Sequence, residues 1–153
     1  MHKSTKLFDG FSCCFRQWKA KETHCRFLHG YGISFRVTFD GMLDHRNWVW
    51  DFGGMKRAKT KIDGKSPKEW MDYVFDHTCL IEKDDPQLES FQMMEELGLL
   101  HLRVMDVIGA EACAKLVFDK FNERLALTGG GRVKVVKVEC WEADRNSSIY
   151  TEI

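Results

Sequence analysis

Between Leu28 and Asp40 the side chains alternate without a break. His29, Tyr31, Ile33, Phe35, Val37 and Phe39 fall on one side, and Gly30, Gly32, Ser34, Arg36, Thr38 and Asp40 on the other. A period of two held over this length specifies a β-strand with one buried face. Such a strand needs a partner. Leu7 to Arg16 offers one, with Leu7, Phe11, Cys13 and Phe15 on a shared face and the polar stretch Lys19 to Thr23 as the connection, so a long antiparallel hairpin is expected. Trp48 to Phe52 is a short apolar run that reads as a strand end, and Gly53-Gly54 lets the chain turn away from it.

Helices follow. Ser66-Pro67-Lys68-Glu69 combines a capping serine, a first-turn proline and a glutamate placed to return the cap, which predicts a helix from Pro67 to Phe75. Asp85-Pro86 begins a second candidate, with Leu88, Phe91 and Met94 on one face and Gly98 as its stop. Glu111 to Leu127 is the strongest, burying Ala114, Val117, Phe118, Phe121 and Leu125 and ending before Gly129-Gly130-Gly131. Val133 to Trp141 and Ser147 to Glu152 form a closing hairpin. The expected fold is α+β in a single domain over 1–153: an antiparallel four-stranded sheet with helices on one face. Two open sheet edges predict assembly through the sheet.

The chain has 153 residues, and Lys plus Arg balance Asp plus Glu at 23 each, which points to no basic nucleic-acid surface, so that a polyanion binder would have to build its patch locally. No apolar stretch marks a membrane span or a secretory leader, so a cytoplasmic location and neither a membrane nor a nucleic-acid partner are expected. The six cysteines (13, 14, 25, 79, 113 and 140) show no metal or disulfide spacing and read as reduced thiols.

Three places carry chemistry. Thr23 to Tyr31 gathers Cys25, His24, His29 and Tyr31 at the start of the second strand, with His29 and Tyr31 on one face. Asp76-His77 follows a helix, where the pair serves either as a proton relay or as a helix terminus favouring an imidazole. Glu139 interrupts an apolar strand. It is either an outward-facing strand residue or a carboxylate that accepts two N–H groups from a planar edge such as guanine or pterin. Asp51 and Glu111 read as structural acids, Glu111 because a helix dipole favours an acid in the first turn.

In order along the chain, FSCCFRQ at 11–17, CRFLHGYG at 25–32, WVWDFGGMK at 48–56, FDHTCL at 75–80 and VKVECWE at 136–142 together resemble the 6-pyruvoyl-tetrahydropterin synthase and 6-carboxy-tetrahydropterin synthase family. The resemblance implies a tunnelling fold in which sheets from several copies join into a barrel, a homo-oligomer of trimer or hexamer type. It implies a lyase that breaks a carbon–oxygen or carbon–carbon bond of 7,8-dihydroneopterin triphosphate, in pterin or 7-deazapurine (queuosine-type) biosynthesis. Carried over by position, Cys25 is the catalytic cysteine, Asp76 and His77 the relay, and Glu139 the anchor for a pterin or deazapurine ring.

The family also implies a zinc held by three histidines. Here only His29 remains, because Phe15 and Tyr31 stand where the other two belong. Cys13 and His24 with His29 are the candidates for a displaced site. Ile108-Gly109-Ala110 replaces the hydroxyl residues that usually precede the helix glutamate, and Glu82 to Val107 is longer than the family pattern. Two alternatives stand beside the lyase: a metal-free pterin enzyme, and a non-catalytic pterin or deazapurine-binding protein on the same fold.

Overall fold

The computed structural model describes residues 1–53, 63–128 and 130–152. Its strands are β1 (His2–Phe15), β2 (His29–Gly41), β3 (Thr78–Glu82), β4 (Leu102–Met105), β5 (Val133–Glu142) and β6 (Asn146–Thr151). The helices are α1 (Pro67–Phe75), α2 (Leu88–Glu96) and α3 (Ala110–Thr128), with a 3-10 turn at His24–Arg26. The four expected strands form the continuous antiparallel part β1-β2-β5-β6 of a sheet ordered β4-β3-β1-β2-β5-β6. The sheet therefore has six strands, because β3 pairs parallel to the end of β1 and β4 pairs parallel to β3. Trp48–Asp51 is irregular chain rather than a strand end. Gly54, Met55 and Lys56, and Gly129 of the glycine run, lie outside the described residues.

Strand β2 behaves as its alternation dictates. Ile33, Phe35, Val37 and Phe39 are buried, and they pack with α1 and α3 residues such as Trp70, Phe75, Val117 and Phe121. Strand β1 departs from its pattern. A bulge between Phe8 and Phe11, made at Gly10 with φ 81°, adds a residue and flips the preceding segment, so Phe8 enters the core and Leu7 stays 45% exposed. Phe8 then meets Phe121 edge to face at 5.8 Å. Helix α1 starts at its expected cap: Ser66 Oγ accepts from the Glu69 N–H, and Pro67 opens the first turn.

Every residue of β3 is buried, the mark of a parallel strand covered on both faces. Leu80 joins the main core, whereas Cys79 and Ile81 pack with Phe91 and Leu102 beneath α2. Helices α1 and α3 thus share one face, and α2 covers the other face at the β3–β4 end. The extra 82–107 segment supplies this layer. It is pinned to the end of β1 by a two-pronged ion pair from Arg16 to Asp85, whose side chain is 1% exposed. No described helix is long and apolar enough to cross a membrane.

Candidate functional site

At the β1–β2 end, Cys13 pairs with Tyr31 and Phe15 with His29, so all four side chains share the helix-covered face. Phe15 is fully buried and stacks flat on Tyr31, with centroids 3.9 Å apart and planes 5° from parallel. The His29 ring lies 4.5 Å from the Tyr31 ring. His29 Nδ1 is 2.7 Å from the Phe27 carbonyl oxygen, which can only accept, so Nδ1 donates to it. Burial, followed by the charges of Glu142, Cys25 and Cys13, pushes the Tyr31 phenol up to about 12. Tyr31 is therefore a neutral O–H group at physiological pH, and both Cys25 and Glu142 lie within its electrostatic reach.

This donor set does not fit zinc. Phenylalanine has no lone pair to give, a protonated phenol is a poor ligand, and a catalytic zinc needs three protein ligands. The displaced alternative does not assemble either: burial first, then Cys14 and Asp76, pushes the Cys13 thiol up to about 12, and His24 sits exposed in the 3-10 turn. Among the described residues, no group of three or more His, Cys, Asp or Glu side chains is placed to hold a metal ion.

Cys25 lies exposed in the same turn, its N–H donating to Thr23 Oγ1 and its carbonyl accepting from the Gln17 N–H. Asp76 and His77 form the expected pair. The Asp76 carboxylate accepts from the Ser12 N–H at 3.1 Å and lies 3.1 Å from His77 Nδ1. The Ser12 bond comes first among the interactions that hold Asp76 below its ordinary carboxylate range. His77 adopts a left-handed backbone, φ 56°, and its side chain is 81% exposed, so the ring projects from the sheet with Nδ1 held by the carboxylate.

Glu139 is elsewhere. It pairs with Arg36, on the face opposite Phe35, Val37 and the Tyr31 cluster, and lies 3.5 Å from Lys137 Nζ with its side chain 14% exposed. The carboxylate that does share the site's face is Glu142, the register partner of Ile33. Burial, then the Glu111 charge, raises the Glu142 carboxyl above its usual range, while His29 pulls it down. The structure thus brings Glu142, Glu111, His29 and Tyr31 into one neighbourhood and leaves Glu139 outside it. The signal was in the sequence: Glu142 ends the strand three positions after Glu139, with the odd spacing that reverses faces. Glu111 also borders an open cleft of about 680 Å³ with Ile108, Lys115 and Tyr150. Gly109 beside it, at φ 120°, takes a backbone that side-chain-bearing residues rarely adopt, and a Cβ there would lie 2.6 Å from Gln17 Nε2.

Such a curled hairpin sheet, backed by α1 and α3 and carrying its polar groups at one end, is the tunnelling-fold architecture. The chain aligns over 99% of its length, and 98% of the other, with the structure of an uncharacterized protein from Wolinella succinogenes at a TM-score of 0.78 and 22% identity. The 6-pyruvoyl tetrahydropterin synthase of Caenorhabditis elegans superposes at a TM-score of 0.61 over 100% of this chain and 98% of that one, with 19% identity. The family model for 6-pyruvoyl tetrahydropterin synthase matches residues 5–152, and the chain belongs to that family. Among its relatives, the 6-carboxy-5,6,7,8-tetrahydropterin synthase of Aquifex aeolicus is 30% identical over 132 residues, 84% of this chain and 76% of the relative.

Proposed function

We propose that the chain is a pterin-pathway lyase of the 6-carboxy-tetrahydropterin synthase type, acting on 7,8-dihydroneopterin triphosphate. The observation that carries this reading is the carboxylate pair at Tyr31: Glu142, partly buried with a raised carboxyl beside Glu111, faces the stacked rings and His29. A partly buried carboxylate in a like-charged setting regains stability when a planar ligand donates two N–H groups to it. Glu142, in place of Glu139, is the proposed ring anchor.

The rest of the reaction is assigned to groups at the mouth. Cys25 removes a proton from the substrate side chain, and His77, oriented by Asp76, passes protons to and from the departing fragment. Tyr31 supplies a neutral O–H donor at the place where the family resemblance puts a metal ligand, and a donor preorganised out of water is suited to charge that develops on a side-chain oxygen. His77 projects into solvent on its own chain, so the relay is completed by a neighbouring copy joined at the sheet edge.

The Phe15–Tyr31 stack favours a second reading, a metal-free pterin enzyme of another reaction type or a binding protein. One experiment separates them: turnover of 7,8-dihydroneopterin triphosphate measured beside its binding by calorimetry. For the lyase, Cys25→Ala abolishes turnover and preserves affinity, and Glu142→Gln weakens binding by about 1.5–3 kcal/mol while Glu139→Gln leaves it unchanged. Binding without turnover in the native chain sinks the lyase, and an absence of binding sinks both readings.

A further inference from the structure

The β1–β3 ladder brings together two sulfurs that the proposed chemistry does not use. Cys14 and Cys79 are register partners in parallel strands, so both side chains leave the same face. Neighbouring strands are about 4.8 Å apart, inside the roughly 4.4–6.8 Å between α-carbons that a disulfide spans. Cys14 also packs against the small buried cluster that contains Cys79.

Their surroundings differ in the way a reactive pair requires. Cys14 is half-buried, and its β2 neighbour is Gly30, where even an added Cβ would meet nothing within 4 Å, so the sulfur can be approached from that flank. Cys79 is 1% exposed and lies under α2 beside Ile81 and Phe91. The neighbouring Cys79 thiol draws the Cys14 thiol down to about 7, and Cys14 together with burial pushes Cys79 far up. Cys113 and Cys140, buried with their thiols raised, have none of this character.

We propose that Cys14 and Cys79 form a peroxide-reactive dithiol that closes reversibly into a disulfide between β1 and β3. The Cys14 thiolate attacks one oxygen of hydrogen peroxide, the O–O bond breaks, and hydroxide leaves and takes up a proton as water, producing a sulfenic acid at Cys14. The Cys79 sulfur then attacks the Cys14 sulfur. The S–O bond breaks, the hydroxyl group departs with the Cys79 proton as a second water, and the S–S bond forms. Peroxide is reduced by the two electrons that the thiols give up. The cross-link would sit one residue beyond the Cys13–Thr78 pair, close behind the Ser12 contact that positions Asp76.

The test is peptide mapping of the full chain without reductant, after a modest excess of hydrogen peroxide and alkylation of the remaining thiols. The expected product is a Cys14–Cys79 linked peptide that dithiothreitol reverses, with the chain losing two of its six free thiols. In Cys79→Ala the reaction should stop at a Cys14 sulfenic acid that dimedone traps. Full alkylation of Cys14 and Cys79 while Cys25 is oxidised, or a linkage from Cys14 to another cysteine, would overturn the proposal. The native-chain map decides the matter even where the variant fails to fold.

Discussion

Glu142 illustrates how one carboxylate can work against stability in the place where it is most useful. Its carboxyl is raised by burial and by Glu111, so the folded chain holds its proton more tightly than the unfolded chain does. With a raised acid, the stabilising contribution is complete below the unfolded value, about 4.3 for a glutamate, and disappears as pH climbs through the folded value. Glu142→Gln should therefore melt at the same temperature as the native protein in acid and at a higher temperature at neutral pH, even though the proposed anchor role has the same change weaken ligand binding. Melting curves at two pH values check this, and a variant that is less stable at neutral pH would contradict the assigned environment. Asp76 has the opposite sign. Held low by the Ser12 N–H, it adds stability at neutral pH that is lost as acid protonates it.

At the scale of elements, period and caps carried most of the information. β2, α1 and the β5–β6 hairpin follow from alternation, from Ser66-Pro67 and from the valine-rich run, because each pattern is local. On the β1 face Phe11, Cys13 and Phe15 are buried as expected and Leu7 is not, because Gly10 inserts a bulge, and a bulge breaks the period without changing the composition. That glycine can be tested directly. A Cβ at position 10 meets nothing within 4 Å, so Gly10→Ala costs only the left-handed backbone at φ 81°, roughly 1–2 kcal/mol. Denaturant unfolding should show a lower midpoint with an unchanged slope, and a neutral result would mean that the bulge does not hold the residue left-handed. β3 and β4 were illegible for a different reason. Thr78 to Glu82 is five residues long and buried on both faces, so it carries neither alternation nor helical spacing. In the candidate site, the Asp76–His77 contact follows from adjacency in the chain, whereas the faces on which Glu139 and Glu142 lie follow only from the β2–β5 register.

Across the whole molecule, a single row of side chains crosses the uncovered face of the sheet. Leu7 pairs with Arg36, Arg36 with Glu139, and Glu139 with Ile149, so a charged middle is flanked by apolar ends that are 45% and 56% exposed. Among the described residues, strand β1 is paired on both sides only at Cys13–Phe15, and β6 ends the sheet, which leaves these edges open to other copies. Joining copies edge to edge would bring the Leu7 end of one row to the Ile149 end of the next. Ile149→Lys should accordingly reduce the assembly mass seen by sedimentation while leaving the circular dichroism of each chain intact. An unchanged mass would mean that the copies meet elsewhere.

The Phe15–Tyr31 stack has one more consequence. A pocket organised around coordinated histidines comes apart in mild acid, because each ring must give up its lone pair as it charges near pH 6.5. Here the corresponding strand positions hold two aromatic faces stacked with centroids 3.9 Å apart, with a phenol that stays protonated well beyond neutrality. That stack does not depend on the protonation state of a ligand set, and it keeps its form through acidification that would empty a three-histidine centre.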